Sequence, residues 1–286
     1  MTAGLEARAQ ALADAFKWAC LSELEAIKPG NVHIFSDGHG MVVEDFVKSA
    51  DAASRVIAQP GLTVGERSYA AVENTWDAVG CNTNLGILLL CAPMAHAALE
   101  QGGGRFREQL AVVLAQLSVA DAEATFRAIA KASPAGLGNS VHYDVHEQAS
   151  VTLLHAMREA QDRDRIAWQY AHEFSDVLDF GLSRYRDLFA RWERPAWATT
   201  GVYLGFLARQ PDTHIVRKHG EALARMVRDQ AAIHEFETIG LDNPKLYQRN
   251  LLDFDANLKA RGLNPGTSAD LTVATLFAHA IEKTVR

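Results

Sequence analysis

The sequence is poor in cysteine, carries no excess of positive charge and contains no long uninterrupted hydrophobic run. Its three cysteines, Cys20, Cys81 and Cys91, form no CxxC pair, which argues against a disulfide framework or a zinc ribbon and favours the reducing cytoplasm. The 28 Lys and Arg against 35 Asp and Glu give a net charge of −7, so we expect no nucleic-acid partner. The most apolar segment, Leu85–Leu99, is short and contains Pro93, so we expect no membrane partner.

Apolar residues recur at helical spacing along nearly the whole chain, whereas the alternation of β-branched residues that is typical of strands is almost absent. No repeat and no linker-like stretch interrupts this pattern. We therefore predict an all-α protein, with residues 1–286 forming a single domain of about a dozen packed helices. The predicted helices cover residues 5–27, 42–58, 64–79, 85–99, 106–117, 119–132, 145–160, 166–189, 196–209, 216–236, 244–261 and 268–284.

Helix starts are marked by side chains that can bond to free backbone N–H groups. Thr63 and Glu66 have the spacing of a capping box, and so do Thr267 and Asp270. We therefore expect one helix to begin just after Thr63 and another just after Thr267.

Polar residues crowd the loop that follows the first predicted helix, Lys28-Pro-Gly-Asn-Val-His33, and its continuation to His39. Proline and glycine after a helix are explained as a helix stop. That interpretation does not explain why Lys28, Asn31, His33 and His39 share one turn. A ligand-binding loop is the functional alternative.

A second polar loop, Gly80-Cys-Asn-Thr-Asn-Leu-Gly86, opens the most apolar helix. Asn84 is placed to cap that helix. In the alternative interpretation, Asn82, Asn84 and free N–H groups form a cradle for an anion or a phosphate. The sequence supports both interpretations equally.

A third polar segment, Pro211-Asp-Thr-His-Ile-Val-Arg-Lys218, concentrates positive charge. Asp212 is placed to cap a helix on which His214, Arg217 and Lys218 share one side. This side is either a solvated cationic face or a grip for phosphate. In the second case Arg217 binds through its fork and Lys218 acts as a point charge.

The standard phosphate-loop, nucleophile-elbow and dinucleotide motifs are missing, so a nucleotide would need a non-standard helical pocket. His142 and His146 lie four residues apart with carboxylates nearby, a spacing that suits a metal ion on a helix. An all-α metal-dependent phosphohydrolase that uses these residues with His33 and His39 therefore stays an alternative. A non-enzymatic helical binding module is a further one.

Six short segments, in order and with compatible spacing, resemble the triphosphoribosyl-dephospho-CoA synthase family. That family makes the prosthetic-group precursor for the acyl carrier subunits of citrate lyase and malonate decarboxylase. Six matches in order are far more specific than any one of them. The matching segments are Lys28-Pro-Gly-Asn-Val, Asn82-Thr-Asn-Leu-Gly86, Ala135-Gly-Leu-Gly with Tyr143-Asp-Val, Arg163-Asp-Arg-Ile-Ala-Trp-Gln-Tyr170, Asp212-Thr-His-Ile-Val-Arg-Lys218 and Asn264-Pro-Gly-Thr-Ser-Ala-Asp-Leu271.

Three departures separate the chain from better-known members of that family. Their Lys-Pro-Gly-Leu-Val-Asp-Arg run is here Lys28-Pro-Gly-Asn-Val-His33, and their Asn-Thr-His-Lys-Gly is Asn82-Thr-Asn-Leu-Gly86. Their His-x-Asp-Met sequence is replaced by His39-Gly-Met41. A divergent member with another acceptor or donor, in the biosynthesis of a pterin-type one-carbon carrier, is therefore our first alternative.

The resemblance implies an all-α transferase that joins the 2′-hydroxyl of 3′-dephospho-CoA to C1′ of the ATP ribose, releasing adenine and retaining the triphosphate. This substitution passes through an oxocarbenium-like state and needs a base, a proton donor and cations for the triphosphate. The catalytic candidates are Asp45, Asp212 and Asp270. The phosphate- or nucleotide-binding candidates are Lys28, Gly30, Asn31, Asn82, Thr83, Asn84, Gly86, His214, Arg217, Lys218, Asn264, Gly266, Thr267 and Ser268, and further pocket candidates are His33, His39 and Asp144.

We expect Mg²⁺ to accompany ATP, through Asp45 and Asp270, and no tightly bound organic cofactor. The expected partners are ATP and a small-molecule acceptor, either dephospho-CoA or a pterin-pathway compound. The oligomeric state is left open, with a homodimer as the candidate assembly. Because polar groups at helix ends can pool free N–H donors toward an anion, we predict that the candidate loops converge on one pocket.

Overall fold

The computed structural model describes residues 2–100, 105–134 and 142–284. Within these ranges the chain forms fourteen α-helices and no β-strand, which confirms the all-α prediction. A π-helical turn, Asp176–Gly181, precedes α9, and a 3-10 turn, Pro244–Tyr247, precedes α13. The helices are α1 (Thr2–Leu24), α2 (Val43–Ile57), α3 (Val64–Val79), α4 (Leu85–Leu99), α5 (Phe106–Gln116), α6 (Val119–Ala132), α7 (Leu153–Ala160), α8 (Arg165–Ala171), α9 (Leu182–Trp192), α10 (Pro195–Arg209), α11 (Thr213–His219), α12 (Glu221–Gly240), α13 (Gln248–Ala260) and α14 (Gly266–Thr284).

The main core is built around α4 and α14. Helix α4 is apolar on every side, and all of its residues except Gly86 and His96 are buried, as expected of a helix enclosed by others. Helix α14 packs against α1, α4 and α10, and its Phe277 ring meets the edge of Phe16 on α1. None of the helices in the described residues has the length and apolar character needed to cross a membrane.

A second hydrophobic cluster lies where α10, α11, α12 and α13 meet. Its fully buried members include Leu204, Ile215, Val227 and Leu251, one from each of these helices. Through Ile215 the cluster anchors α11, which also packs against α14. The cationic segment predicted on α11 is therefore held beside the first turn of α14.

The single helix predicted over residues 166–189 is divided. The chain turns at Glu173 and Phe174, which have positive φ angles of 52° and 57°. Phe174 is fully buried in this turn and packs against Tyr170. The apolar periodicity continues across the turn, so the sequence pattern did not reveal the break.

Another predicted helix, over residues 216–236, is also divided. It begins earlier, at Thr213, and Gly220 separates α11 from α12 with a φ angle of 85°. Glycine adopts this left-handed conformation without the steric penalty that other residues incur. The two helices then turn their apolar sides to the same cluster.

The helix predicted over residues 145–160 is shorter than expected and begins only at Leu153. In the preceding stretch the N–H of Ala149 donates to Glu123 Oε2 at 2.8 Å, and the N–H of Leu153 donates to the Ser118 carbonyl at 3.2 Å. Because α6 and its preceding residue satisfy these backbone groups, the segment stays irregular.

The capping box predicted at Thr63 is confirmed. The Thr63 hydroxyl accepts the Glu66 N–H at 3.3 Å, and Glu66 Oε2 accepts the Thr63 N–H at 2.9 Å. The cap predicted at Asp212 is confirmed as well, because its carboxylate accepts the N–H groups of His214 and Ile215.

The capping box predicted at Thr267 and Asp270 is wrong. Helix α14 begins at Gly266, so both residues lie inside it. The free N–H of Ser268 is bound by the Asp212 carboxylate at 2.7 Å. Asp212, the N-cap residue of α11 and distant in sequence, therefore binds a free N–H at the start of α14.

Candidate functional site

A cavity of about 830 Å³ opens among the ends of several helices, a volume typical of small-molecule sites. Its lining comes from the loops after α1 and α3, from the segments before α7 and α8, from α11, and from the start of α14. The candidate loops predicted to converge do meet here. The predicted site residues that line the cavity are Asn31, His39, Asn82, Thr83, Asn84, Gly86, Asp144, His214, Arg217, Lys218, Asn264, Gly266 and Asp270.

Seven other predicted site residues do not line this cavity. Asp212, Thr267 and Ser268 border a separate pocket of about 20 Å³, formed with Arg165 and Asp176. The remaining four lie behind the cavity wall or at its margin. They are Lys28, Gly30, His33 and Asp45.

Lys28 is completely buried and faces the protein interior. Its ammonium forms an ion pair with Glu23 and donates to Asn31 Oδ1 at 3.0 Å. Burial lowers the pKa of Lys28 and raises the pKa of Glu23, while each group partly offsets the effect on the other. The predicted direct contact between Lys28 and a phosphate is therefore not available in this arrangement.

The backbone of the loop after α1 is held by side chains from three directions. The Tyr203 hydroxyl donates to the Pro29 carbonyl at 2.7 Å, and the Gly30 N–H donates to Asp255 Oδ1 at 2.8 Å. The His39 ring donates to the Gly30 carbonyl at 2.7 Å. Gly30 has a φ angle of 85°, and a Cβ there would lie 2.7 Å from Cδ of Pro265, so glycine is required.

His33 belongs to the packing beneath this loop. Its ring is fully buried, and Nε2 lies 3.4 Å from Asp255 Oδ2 without the alignment of a hydrogen bond. Burial lowers the pKa of His33, which keeps the ring neutral. Lys259 bonds to the same carboxylate at 3.0 Å.

The two asparagines of the loop before α4 form hydrogen bonds with different helices. Asn82 Oδ1 accepts the Leu85 N–H at 3.1 Å, whereas the Asn84 amide donates to the Thr75 hydroxyl at 3.1 Å. Asn84 is the N-cap residue of α4, as one of the two interpretations expects, but its side chain makes no cap hydrogen bond. Its amide is taken up by α3, and Asn82 satisfies a free N–H of the helix instead.

Two glycines make room for polar side chains in the cavity wall. A Cβ on Gly86 would overlap the Asp270 carboxylate, and a Cβ on Gly266 would overlap Nδ1 of His214. The close approach of α4 to α14, and of α14 to α11, thus depends on the missing side chains. These glycines position Asp270 and His214 without contacting a ligand through a side chain.

Asp270 is enclosed by protein, yet its carboxylate is reached from the cavity. Burial raises its pKa well above the usual range, and the neighbouring Asp212 and Glu23 carboxylates raise it further. No described residue donates a hydrogen bond to it. These surroundings therefore favour the protonated form of the Asp270 carboxyl group over the carboxylate.

Asp212 differs from Asp270 because the protein satisfies it fully. Its carboxylate accepts hydrogen bonds from the Ser268 N–H at 2.7 Å and the Ser268 hydroxyl at 2.8 Å. It also accepts the N–H groups of His214 and Ile215, at 2.9 and 3.3 Å. Asp212 thus joins α11 to α14.

The cations of α11 face the cavity. Arg217 Nη1 lies 2.7 Å from Asp164 Oδ2, and its buried Nε has no hydrogen-bond partner. Lys218 is exposed and also lines the cavity. Burial, together with Arg217 and Lys218, lowers the pKa of His214 to about 3, so that ring is neutral at physiological pH.

The structure does not place Asp45 in the cavity with Asp270. The Asp45 carboxylate accepts the N–H of Val42 at 2.9 Å and thereby supports the start of α2. His142 lines the cavity but His146 does not, and the irregular segment that carries them offers no shared helix face. Over the ranges that the structure describes, His, Cys, Asp and Glu form no group of three or more with metal-binding geometry.

Three charged cavity residues were not among the predicted site residues: Glu23, Arg163 and Asp164. Arg163 and Asp164 open a segment that resembles the family, so that segment was the available signal. Glu23 lies one turn before the polar loop, and nothing in the periodicity separates it from an ordinary helix surface. An apolar end of the cavity was also missed, and it includes Phe46, Trp76, Phe126, Ile129 and Met157.

A comparison with solved structures finds a protein of similar fold. A crystal structure from Archaeoglobus fulgidus, provisionally described as a triphosphoribosyl-dephospho-CoA synthase, is similar with a TM-score of 0.65 and 20% sequence identity. The similarity covers 83% of this chain and 99% of the other. At this identity the likeness is one of fold. Of the resembling segment Ala135-Gly-Leu-Gly with Tyr143-Asp-Val, the first part, residues 135–138, lies outside the described residues.

The curated proteins contain no match to this chain. The sequence model of one family, however, matches residues 9–286, which is nearly the whole chain. That family is described as ATP:dephospho-CoA triphosphoribosyl transferase. The chain therefore belongs to the ATP:dephospho-CoA triphosphoribosyl transferase family.

Proposed function

We propose that the protein transfers the triphosphoribosyl group of ATP to the 2′-hydroxyl of 3′-dephospho-CoA and releases adenine. The observation that carries this proposal is one cavity in which the α11 cations, the asparagine loops and Asp270 face each other. Membership of the transferase family supports the same reaction class.

The α11 side of the cavity suits a triphosphate. Arg217 lines the cavity beside Asp164, and the exposed Lys218 adds a second positive charge at the cavity surface. Charge-assisted bonds to phosphate are roughly twice as strong as bonds between neutral groups. Because the chain carries a net charge of −7, a triphosphate depends on these local cations.

Asp270 has the properties of a proton donor to the leaving adenine. Its raised pKa favours the protonated carboxyl group, and an acid that holds its proton near the working pH is suited to general acid catalysis. In the proposed step the C1′–N9 bond breaks as adenine takes this proton. The C1′–O2′ bond forms, and the proton of the attacking hydroxyl passes to a second cavity carboxylate, for which Asp144 and Asp164 are the candidates.

Magnesium enters this proposal as part of the ATP substrate. Mg²⁺ usually keeps several waters and binds through substrate phosphates plus one or two carboxylates, so it needs no cage of protein ligands. Asp164, which lies beside Arg217, is the cavity carboxylate nearest to the proposed triphosphate side. Asp45 drops out of the expected set because it does not line the cavity.

The apolar end of the cavity suits the less charged part of the substrates. Aromatic and aliphatic side chains there can cover a base or the pantetheine arm of the acceptor, whereas the polar end holds the charged groups. One cavity with these two ends can hold a donor and an acceptor together.

The proposal is tested by incubating the purified protein with ATP, Mg²⁺ and dephospho-CoA and following free adenine by chromatography. Arg217→Ala should lower kcat/KM by about 100-fold or more, since two charge-assisted bonds are lost. Its stability should fall by less than about 1 kcal/mol, because the Arg217–Asp164 pair is partly exposed. The matched control is Arg225→Ala, which removes an exposed pair with Glu221 on α12 and should leave turnover unchanged.

Adenine release that requires dephospho-CoA would support the proposed reaction. Turnover only with another hydroxyl acceptor, such as a pterin-pathway compound, would keep the transfer and replace the acceptor. Wild-type turnover in Arg217→Ala would contradict the assignment of α11 to the triphosphate.

A further inference from the structure

A chain of side-chain contacts runs behind the cavity wall from Glu23 to Asn264. Lys28 Nζ contacts the Glu23 carboxylate and donates to Asn31 Oδ1 at 3.0 Å. Asn31 Nδ2 then donates to Asn264 Oδ1 at 2.8 Å. Glu23, Asn31 and Asn264 line the cavity, whereas Lys28 has no exposed surface. One hidden amino group thus connects three residues that a ligand can reach.

This amino group fixes the direction of every bond in the chain. An ammonium group only donates, so Asn31 has to present its oxygen to Lys28 and its amino group to Asn264. Asn264 then has to present its oxygen to Asn31. If the proton shared with Glu23 moves to the carboxylate, the lone pair of the amine faces Glu23, and Lys28 still donates to Asn31.

The chain therefore ends in two groups of opposite character that face the cavity. At one end the Glu23 carboxylate accepts hydrogen bonds, and at the other end the Asn264 amino group donates them. Among the described residues, no acceptor is bonded to the Asn264 amino group. Asn264 lines the cavity, so an acceptor atom of a ligand can reach this amino group.

We propose that Glu23 and Asn264 bind the vicinal diol of a substrate ribose, with one hydroxyl donating to Glu23 and the other accepting from Asn264. A hydroxyl group can both donate and accept, which matches a site with one acceptor and one donor. A phosphate only accepts, and the Glu23 carboxylate would repel it. Lys28 is a positioning residue, because it acts through Asn31 on the orientation of Asn264. This inference rests on the proposed function, in which the donor and the acceptor each carry a ribose.

Binding calorimetry with the wild-type protein tests the diol directly. One arm compares ATP with 2′-deoxy-ATP and 3′-deoxy-ATP, and the other compares dephospho-CoA with its two deoxy derivatives. Removal of a bound hydroxyl should weaken binding by about 10-fold. The arm in which this loss occurs identifies which ribose is bound. Equal binding of all analogues in both arms would overturn the inference, while adenine release would still support the proposed function.

A variant links this selectivity to the named residues. Asn264→Asp keeps the oxygen that Asn31 needs but replaces the free donor with an acceptor, so the parent compound and one deoxy analogue should bind within about 2-fold of each other. Asn250→Asp makes the same change at an exposed position on α13. It should keep the wild-type ratio of the dissociation constants of the deoxy analogue and the parent compound. Lys28→Met should lower this ratio of dissociation constants as Asn264→Asp does, because Lys28 fixes the orientation of Asn264 through Asn31. If Asn264→Asp discriminates between the parent compound and its deoxy analogue as strongly as the wild-type protein does, the inference is overturned. If neither ATP nor dephospho-CoA binds the wild-type protein, the proposed function is contradicted as well.

Discussion

Two regions beside the same cavity differ in where they place their positive charges. Behind the loop after α1, Lys28 is paired with Glu23 and hydrogen-bonded to Asn31. On α11, Arg217 is paired with Asp164 but lines the cavity, and Lys218 lies at the cavity surface. The sequence offers both regions as equivalent sources of positive charge.

The comparison shows that a cation in a ligand-binding motif does not have to contact the ligand. Where protein groups neutralise the charge, its effect is on fold and orientation. Where the cation lines the cavity, its charge is available for binding. Asp212 and Asp270 repeat this contrast among the carboxylates, because four donors bind the first and no described donor binds the second.

The largest expected change in stability concerns the buried Lys28. Lys28→Met leaves the Glu23 carboxylate buried without its partner, so the free energy of unfolding should fall by about 3–5 kcal/mol, as measured by urea denaturation. The deficit should shrink as the pH falls, since a protonated Glu23 carries no charge. Combining Lys28→Met with Glu23→Gln should recover part of the stability. Lys48→Met removes a lysine from an exposed pair on α2 and serves as the control, with a change below about 1 kcal/mol.

A smaller effect is expected where α4 approaches α14. In Gly86→Ala the new methyl group would overlap the Asp270 carboxylate, so the unfolding free energy should fall by about 1–3 kcal/mol and adenine release should fall strongly. Gly240→Ala adds a methyl group with no atom within 4 Å at the end of α12, so it should be neutral or slightly stabilising. Unchanged activity in Gly86→Ala would show that this contact does not position Asp270 for catalysis.

The smallest change in stability is expected at Asp270 itself, and this change is a gain in stability rather than a loss. The folded protein raises the pKa of Asp270 above its unfolded value, so stability decreases as the pH rises through the folded pKa. Asp270→Asn never ionises and should therefore melt a few degrees higher near neutral pH, while losing adenine release. The difference in Tm should disappear as the pH falls toward the unfolded pKa of about 4. A lower Tm at neutral pH would contradict the assignment of Asp270 as an acid whose pKa is raised in the folded protein.

The helices could be predicted because their pattern is local. Apolar spacing identified α3, α4, α5 and α6 almost to the residue, since burial of one side repeats every turn. It failed at Phe174 and Gly220, where the chain turns while its apolar residues continue in phase. Such breaks depend on which core the next helix joins, and this information is not local.

The cavity was foreseen through its loops, because asparagine, glycine and cations at helix ends are unusual enough to be noticed. Their individual contacts were not foreseen. Asn82 rather than Asn84 satisfies the start of α4, because Thr75 on α3 takes the Asn84 amide. Glu23 was missed because a single carboxylate near the end of α1 has no distinguishing pattern in the sequence.

The sequence by itself determined the helical class, the core helix α4 and the set of loops that carry polar groups, because these follow from periodicity and residue type. Tertiary structure alone decided which charges face the cavity. Lys28 meets Glu23 one turn away, whereas Asp212 reaches Ser268 across 56 positions of sequence. The protonation of a carboxyl group depends on the donors and charges around it in space. Asp212 and Asp270 are the same letter in the sequence, yet four donors bind the first carboxylate and no described donor binds the second.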